Sequence, residues 1–385
     1  MPPALAVGRA PPDARPFAVI AGGGTGGHVI PALAIGRALV DRGLPAASLH
    51  FVGSERGIEW RLVPEAGFSL TVLPGRGIQR RLTAENLPAA WGLARAAGEA
   101  VALLRRLRPR VVVAVGGYAS VPCALAAATL GLPIVVQEQN AVAGLANRIT
   151  SRVARASAVA FPGSDLRRAV VTGNPVRPEV LAVSRSDGDR AAARSALGLP
   201  EGRRVVGVFG GSLGALRINR AVLEAVGGPW AGRSDLAVHH VVGERDWSLV
   251  SASVPDLPHG GLWYRPVRYE ERLPLLMSAA DLCVSRSGGN SVAELAVLGT
   301  PSVLVPLPGA PGDHQTANAR ILADEGGAVL VADPEMDGAR LAAEVDGLVG
   351  DDGRLSAMGA AAARLGRRDA ADRIAALVEE HAAGG

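Results

Sequence analysis

Phe17-Ala18-Val19-Ile20-Ala21-Gly22-Gly23-Gly24-Thr25-Gly26-Gly27-His28-Val29-Ile30-Pro31-Ala32-Leu33-Ala34-Ile35 is the stretch on which the fold turns. Its apolar start, Phe17–Ala21, predicts a buried strand. The Ala-, Leu- and Ile-rich run Val29–Arg42 predicts a helix. Between them the glycines let the backbone take positive φ and come close to a ligand. Free amides at the start of the following helix face an anion. Alone, such a turn suits a dinucleotide, another anion, or no ligand at all. A dinucleotide fingerprint also needs an acid at the end of the second strand. That strand is Leu49–Val52, and Gly53-Ser54-Glu55 follows it, so Glu55 fits poorly and an NAD site is disfavoured. His28 closes the turn. It is read as a general base, a phosphate donor or a capping residue.

The same grammar continues outward. Leu70–Val72 and Val111–Val115 are further strands, with a helix from about Pro88 to Leu107 between them. Val111 to Gln137 carries no charge and is long enough to suggest a membrane span. Gly116, Gly117, Pro122, Gly131 and Pro133 interrupt it, so it reads as strand, short helix, strand (Ile134–Val136) in a parallel sheet. The signal weakens over 179–200, which is read as a linker. It then restarts with Val205–Phe209, a Gly-Gly-Ser-Leu-Gly turn and a helix from about Ala215. Ala237–Val242, Leu282–Ser285 and Ser302–Pro306 are further strands. Two doubly wound halves follow from this alternation. The expected organisation is a disordered tail over 1–15, one domain over 16–178, the linker, a second domain over 201–365, and 366–385 as a helix folding back on the first domain.

Composition narrows the chemistry. The chain has 385 residues, too many for one ordinary core. All 40 basic residues are arginine, which excludes Schiff-base and Walker-type lysine chemistry. Net charge is a mild +4, the arginines are dispersed, and no nucleic-acid motif accompanies them, so no nucleic-acid partner is expected. Cys123 and Cys283 read as small core residues of a reducing compartment. No Cys/His cluster has metal-site spacing, and Asp187-Gly188-Asp189 lies outside any strand end, so no metal is expected. The first 16 residues lack the apolar core of a secretory signal.

Other polar clusters close strands. Ser212 supplies a hydroxyl in the second glycine turn. Ser285-Arg286-Ser287-Gly288-Gly289-Asn290-Ser291 forms a third turn and opens the helix carrying Glu294, which is placed to bind a ribose diol or to decorate a surface. Gln137-Glu138-Gln139-Asn140 ends a buried strand, where a carboxylate is costly unless paired or used. Gly173-Asn174-Pro175-Val176-Arg177 ends the first half. Gly312-Asp313-His314-Gln315-Thr316-Ala317-Asn318 offers donors and acceptors to a sugar.

In this order, these segments resemble the MurG family, the UDP-N-acetylglucosamine–N-acetylmuramyl-(pentapeptide) pyrophosphoryl-undecaprenol N-acetylglucosamine transferases of bacterial cell-wall synthesis. The resemblance runs from about Arg15 to the C-terminus. It implies a GT-B glycosyltransferase fold of two Rossmann-like doubly wound domains with a cleft between them. The first domain would bind lipid I, its diphosphate on the Gly22–His28 turn, and the second UDP-GlcNAc. It implies inverting transfer of GlcNAc to the C4 hydroxyl of MurNAc, giving lipid II, with no cofactor and no metal for the chemistry. Thr25, Gly26, Gly27, Asn140, Arg177, Ser212 and Gln315 match donor-site positions, and Glu294 the ribose-binding glutamate. His28 matches the proposed base, with Glu138 the second candidate. Two departures stand out: Gln137 where the family often has His, and Glu270 where it has an apolar residue near the uracil contact. Lipid I is bilayer-anchored, so a peripheral place on the anionic cytoplasmic face of the cell membrane is implied. Gly75–Trp91 suits it, with Arg76, Arg80 and Arg81 beside Ile78, Leu82, Leu87 and Trp91. Cell-wall synthesis and division proteins are the implied protein partners. Competing readings are another UDP-sugar enzyme (a soluble-acceptor transferase or a UDP-GlcNAc 2-epimerase) and a non-catalytic nucleotide-sugar binding protein.

Overall fold

A computed structural model describes residues 15–55, 57–74, 86–211 and 214–383. The chain forms two compact units, Met1–Arg177 with Arg368–Gly385, and Pro178–Arg367. The first holds strands β1 (Ala18–Ala21), β2 (Leu49–Ser54), β3 (Ser69–Leu73), β4 (Val111–Ala114), β5 (Ile134–Glu138), β6 (Ala156–Val159) and β7 (Ala169–Val171). They make a seven-stranded parallel sheet in the order β3-β2-β1-β4-β5-β6-β7. Chain direction across the sheet reverses between β1 and β4. Ligands of such sheets bind at that point, outside the carboxyl ends of the strands.

Burial explains the strand sequences. Both sheet faces are covered, so Val111-Val112-Val113-Ala114 is apolar on successive residues and fully buried. One face packs Ile20, Ile35, Leu39, Phe51, Val113 and Val135 with Ile374 and Val378 of the C-terminal helix Ala370–Ala383. The other packs Val19, Val112 and Val136 against Leu103, Leu104 and Ala127. The uncharged run from Val111 resolves into β4, the helix Ser120–Thr129 and β5. Among the described residues, no helix is long and apolar enough to cross a membrane.

The second unit repeats the design with β8 (Arg204–Phe209), β9 (Leu236–Val241), β10 (Trp263–Val267), β11 (Leu282–Ser285), β12 (Ser302–Leu304) and β13 (Ala328–Leu330). Their order is β10-β9-β8-β11-β12-β13, all parallel. The reversal here falls between β8 and β11. Ile218, Val222, Trp230 and Val345 fill one face of this sheet.

The expected linker 179–200 is folded instead. Pro178–Leu181 and Asp187–Leu197 are helices of the second unit. Ser186 caps the longer one, accepting from Asp189 N at 3.2 Å, and Gly198 at φ +62° ends it. Arg190 and Arg194 hold the buried Asp281 at 2.6 and 2.8 Å. The polar run that suggests a loop is therefore an N-cap followed by a charged first turn. Asp187 and Asp189 occupy that turn and form no strand-end metal motif.

Candidate active site

In the first unit the two glycine turns at the switch point interlock. Ser120, fully buried, donates from its hydroxyl to Ala21 O at the end of β1 and accepts from Gly116 N after β4, both at 2.8 Å. A Cβ on Gly22 would collide with Val115, and one on Gly117 (φ +81°) with the Gly23 carbonyl. These glycines are required by contact between the two turns, a structural reason that holds without any ligand. Thr25 is the N-cap of the helix Gly26–Asp41. It is exposed, and its hydroxyl makes no capping bond. Gly26 and Gly27 begin the helix and His28 follows, half-buried.

His28 Nδ1 lies 3.1 Å from Val115 O. A carbonyl cannot donate, so this contact requires the proton on Nδ1 and leaves a lone pair on Nε2. The Gln139 amide also lies 2.8 Å from Nδ1, and its Oε1 is otherwise buried without a partner. Turned oxygen-first, that amide accepts from the same Nδ1 proton. Burial lowers the His28 pKa below its ordinary value, while the Glu138 charge, the Val115 and Gln139 contacts and the Glu59 charge oppose the shift. The imidazole is thus neutral near pH 7 and configured to accept a proton at Nε2.

Glu138, at the end of β5, is 1% exposed and occupied. Its Oε1 accepts from Asn140 N at 2.9 Å and Asn140 Nδ2 at 3.1 Å. Its Oε2 accepts from Gly144 N and Asn147 Nδ2, both at 2.9 Å. Four donors use the lone pairs of both oxygens. The carboxylate organises the loop that presents Asn140, and it offers no open site for a substrate proton. Gln137 is spoken for as well: its amide nitrogen donates to Asn174 Oδ1 at 3.1 Å, tying β5 to the segment that ends at Arg177.

In the second unit, the turn after β11 meets the start of the helix His314–Asp324. Ser287 Oγ donates to Gln315 O at 2.8 Å, and Asn318 Nδ2 to Ser287 O at 3.1 Å. Gln315 Oε1 accepts from Leu307 N at 3.0 Å, which directs its amide nitrogen away from that contact. Glu294 lies on the helix Gly289–Leu298 and is buried, so it does not decorate a surface. Arg286 braces strand ends, donating to Val305 O at 3.0 Å and Pro306 O at 2.9 Å and pairing with Asp333. The Glu270 carboxylate accepts from Arg272 N at 3.0 Å and sits 3.3 Å from buried His239. Ser212, Arg76, Ile78, Arg80, Arg81 and Leu82 lie outside the described residues, as do the side chains of Leu87 and Trp91.

Residues 18–159 match the glycosyltransferase family 28 N-terminal domain, and 205–374 its C-terminal domain. A Nocardioides protein named UDP-N-acetylglucosamine–N-acetylmuramyl-(pentapeptide) pyrophosphoryl-undecaprenol N-acetylglucosamine transferase is 42% identical over 362 residues, covering 94% of this chain and 97% of that one. The chain belongs to the MurG family. A MurG relative of the same name from Desulforudis audaxviator is 39% identical over 378 residues, covering 95% and 99% of the two chains. The crystal structure of Acinetobacter baumannii MurG aligns with a TM-score of 0.74 at 29% identity, covering 95% of this chain and 99% of that one. The two Rossmann-like sheets are those of a GT-B enzyme of the MurG family. Motif reading misses Glu59 and Ser120, which hydrogen-bond the backbone of the glycine turns. Glu59 holds the glycine turn through Gly24 N at 2.9 Å, yet it lies four residues beyond the acid position examined for a ribose contact.

Proposed function

We propose that this chain transfers GlcNAc from UDP-GlcNAc, with inversion, to the C4 hydroxyl of MurNAc in lipid I, forming lipid II. The observation that carries the reading is His28: a neutral imidazole with its proton committed to Val115 O, seated on a glycine turn at a sheet switch point. Its Nε2 takes the C4 hydroxyl proton as that oxygen bonds to the anomeric carbon and the bond from that carbon to the UDP oxygen breaks. The UDP leaves with the electron pair, and donors of the second unit stabilise its charge. Lipid I lays its diphosphate on the Gly22–His28 turn. Glu294 accepts from the ribose diol and Gln315 meets the sugar. Thr25, Gly26, Gly27, Asn140, Arg177 and Ser212 are assigned to the donor by their match to the family's donor-site positions. Glu138 serves by holding Asn140 and its charge near His28, which leaves His28 as the base.

The test is incubation of labelled UDP-GlcNAc with and without a lipid I analogue. Label transferred only when lipid I is present supports the reading. Conversion of UDP-GlcNAc without acceptor makes the protein an epimerase, and no product in either mixture leaves a binding protein. Lipid I is bilayer-anchored, so the enzyme works as a peripheral protein on the cytoplasmic face of the membrane, beside other cell-wall synthesis and division proteins. Replacing Arg80, Arg81 and Trp91 together by Ala is expected to weaken binding to anionic vesicles in a flotation assay. Unchanged binding would place the contact elsewhere.

A further inference from the structure

Glu59 opens the helix Glu59–Glu65 and is 1% exposed. Backbone and hydroxyl groups hold its carboxylate. Ser54 N donates to Oε1 at 2.7 Å and Ser54 Oγ at 2.8 Å, while Gly24 N donates to Oε2 at 2.9 Å. Glycines make its room: a Cβ on Gly23, Gly53 or Gly57 would collide with the Glu59 side chain. One carboxylate thus accounts for three glycines: Gly23 in the turn, Gly53 in β2 and Gly57 after it. Gly24 belongs to the turn that ends at His28, and both Gly23 and Gly24 have positive φ, +154° and +97°. An amide that donates to Glu59 is not donated to a ligand. The bond therefore fixes the orientation of the Gly24 peptide within the turn.

The second unit repeats the device. Asp246, 5% exposed, is the N-cap of the helix Trp247–Ala252, which follows β9 as the Glu59 helix follows β2. Its Oδ2 accepts from Asn219 Nδ2 at 3.0 Å and would lie 3.0 Å from a Cβ on Gly214. Asn219 stands on the helix that leaves that unit's own glycine turn. In both units a buried carboxylate at the start of the helix after the second strand lies beside the turn after the first, bonded to the turn itself in the first unit and to the helix leaving it in the second. Where a dinucleotide fold spends an acid on a ribose, this chain spends one on its glycine turn.

We propose that Glu59 is a positioning residue for the acceptor site: it locks the Gly22–Thr25 backbone in the form that receives the acceptor diphosphate. The proposal rests on reading that turn as the acceptor site and His28 as the base. The groups that act on His28 are Glu138 and Gln139 at the end of β5, the Val115 carbonyl after β4, and Glu59. Removing the Glu59 charge takes away one influence that raises the His28 pKa.

The full-length enzyme is assayed with a lipid I analogue and UDP-GlcNAc. For Glu59→Gln, KM for lipid I is expected to rise roughly tenfold, as for loss of one charge-assisted hydrogen bond, with KM for UDP-GlcNAc unchanged. The acid limb of its kcat/KM profile moves to lower pH. Glu59→Asp keeps the charge but not the reach, so its KM for lipid I rises while its acid limb stays in place. Ser54→Ala leaves the carboxylate and removes one donor, so it gives a smaller rise in the same KM and serves if Glu59→Gln does not fold. Unchanged KM for lipid I in these variants overturns the proposal. So does a parallel rise in both KM values with an unmoved acid limb, which marks a purely structural residue. Full activity in His28→Ala overturns the underlying reading instead, and that result is independent of the Glu59 variants.

Discussion

The two ring nitrogens of His28 have different duties. Nδ1 is tied to Val115 O, and in the proposed mechanism Nε2 takes the substrate proton. Burial is the largest influence on this group and lowers its pKa. The sign of the pH effect follows. A base works deprotonated, so kcat/KM rises with pH through the His28 pKa and is already level above the ordinary imidazole value of about 6.5. A limb centred at or above neutral pH would contradict this account. His28→Ala is expected to lose roughly 10²–10⁴-fold in kcat, the usual worth of a positioned base. UDP affinity, measured by titration calorimetry, should stay unchanged, because the second unit carries most of that site in the proposed arrangement. Glu138 behaves differently. Glu138→Gln puts an amide where four N–H groups converge, so donors face donors. The expected cost is about 2–3 kcal/mol of stability, read from urea unfolding. A variant with wild-type stability and no activity would restore Glu138 as a chemical participant.

Between residue and molecule lies the glycine turn as an element, and it is assembled from two loops. Gly117 has φ +81°, and its Cβ would meet the Gly23 carbonyl. Gly117→Ala is therefore strained both in its own backbone and against the partner turn, at a cost of about 2 kcal/mol or more. Gly43→Ala is the control, since Gly43 is positive in φ with open space around it. A larger loss of urea midpoint in Gly117→Ala than in Gly43→Ala isolates the contact between turns, and equal losses would deny it. This level was only partly legible in the sequence. The long β-branched runs, Val111–Ala114 and Ile134–Val136, announce buried strands. Ala156-Ser157-Ala158-Val159 does not, because Ala and Ser carry little strand preference and the strand is fixed by pairing with β5. β10 is masked by its Pro266, tolerated at the edge of the sheet. The helix Asp187–Leu197 hid because its polar first turn looks like a loop, and its anchor, Asp281, is far away in sequence. Glu59 hid for the same reason: its partner Gly24 is 35 residues distant, and no local spacing encodes that bond. His28 and the glycine turns were legible because their chemistry is local.

At the scale of the whole molecule, the chain visits the first unit twice. Residues up to Arg177 build its sheet, and Arg368–Gly385 return to it after the second unit is complete. The returning helix Ala370–Ala383 is amphipathic, and Ile374, Ala375, Val378 and Ala382 enter the core that covers β1, β4 and β5. Arg42, at the end of the Gly26–Asp41 helix, fixes its outer face through Asp372 at 2.8 Å and Glu379 at 2.7 Å. These pairs are partly exposed and contribute little beside the apolar contacts. The first unit therefore cannot complete its core without residues that follow the second unit in sequence, although its sheet is encoded before that unit. Ile374 is fully buried, and Ile374→Ala should cost about 3 kcal/mol, within the range for emptying such a site. The loss belongs to one unit. In hydrogen exchange, amides of β1 and β4 should exchange faster while those of β8 and β11 keep their protection. Arg42→Ala should move the same amides much less. If β8 and β11 lose protection in step with β1 and β4, the two units unfold as one body, and the C-terminal helix stabilises the whole protein rather than the sheet it covers.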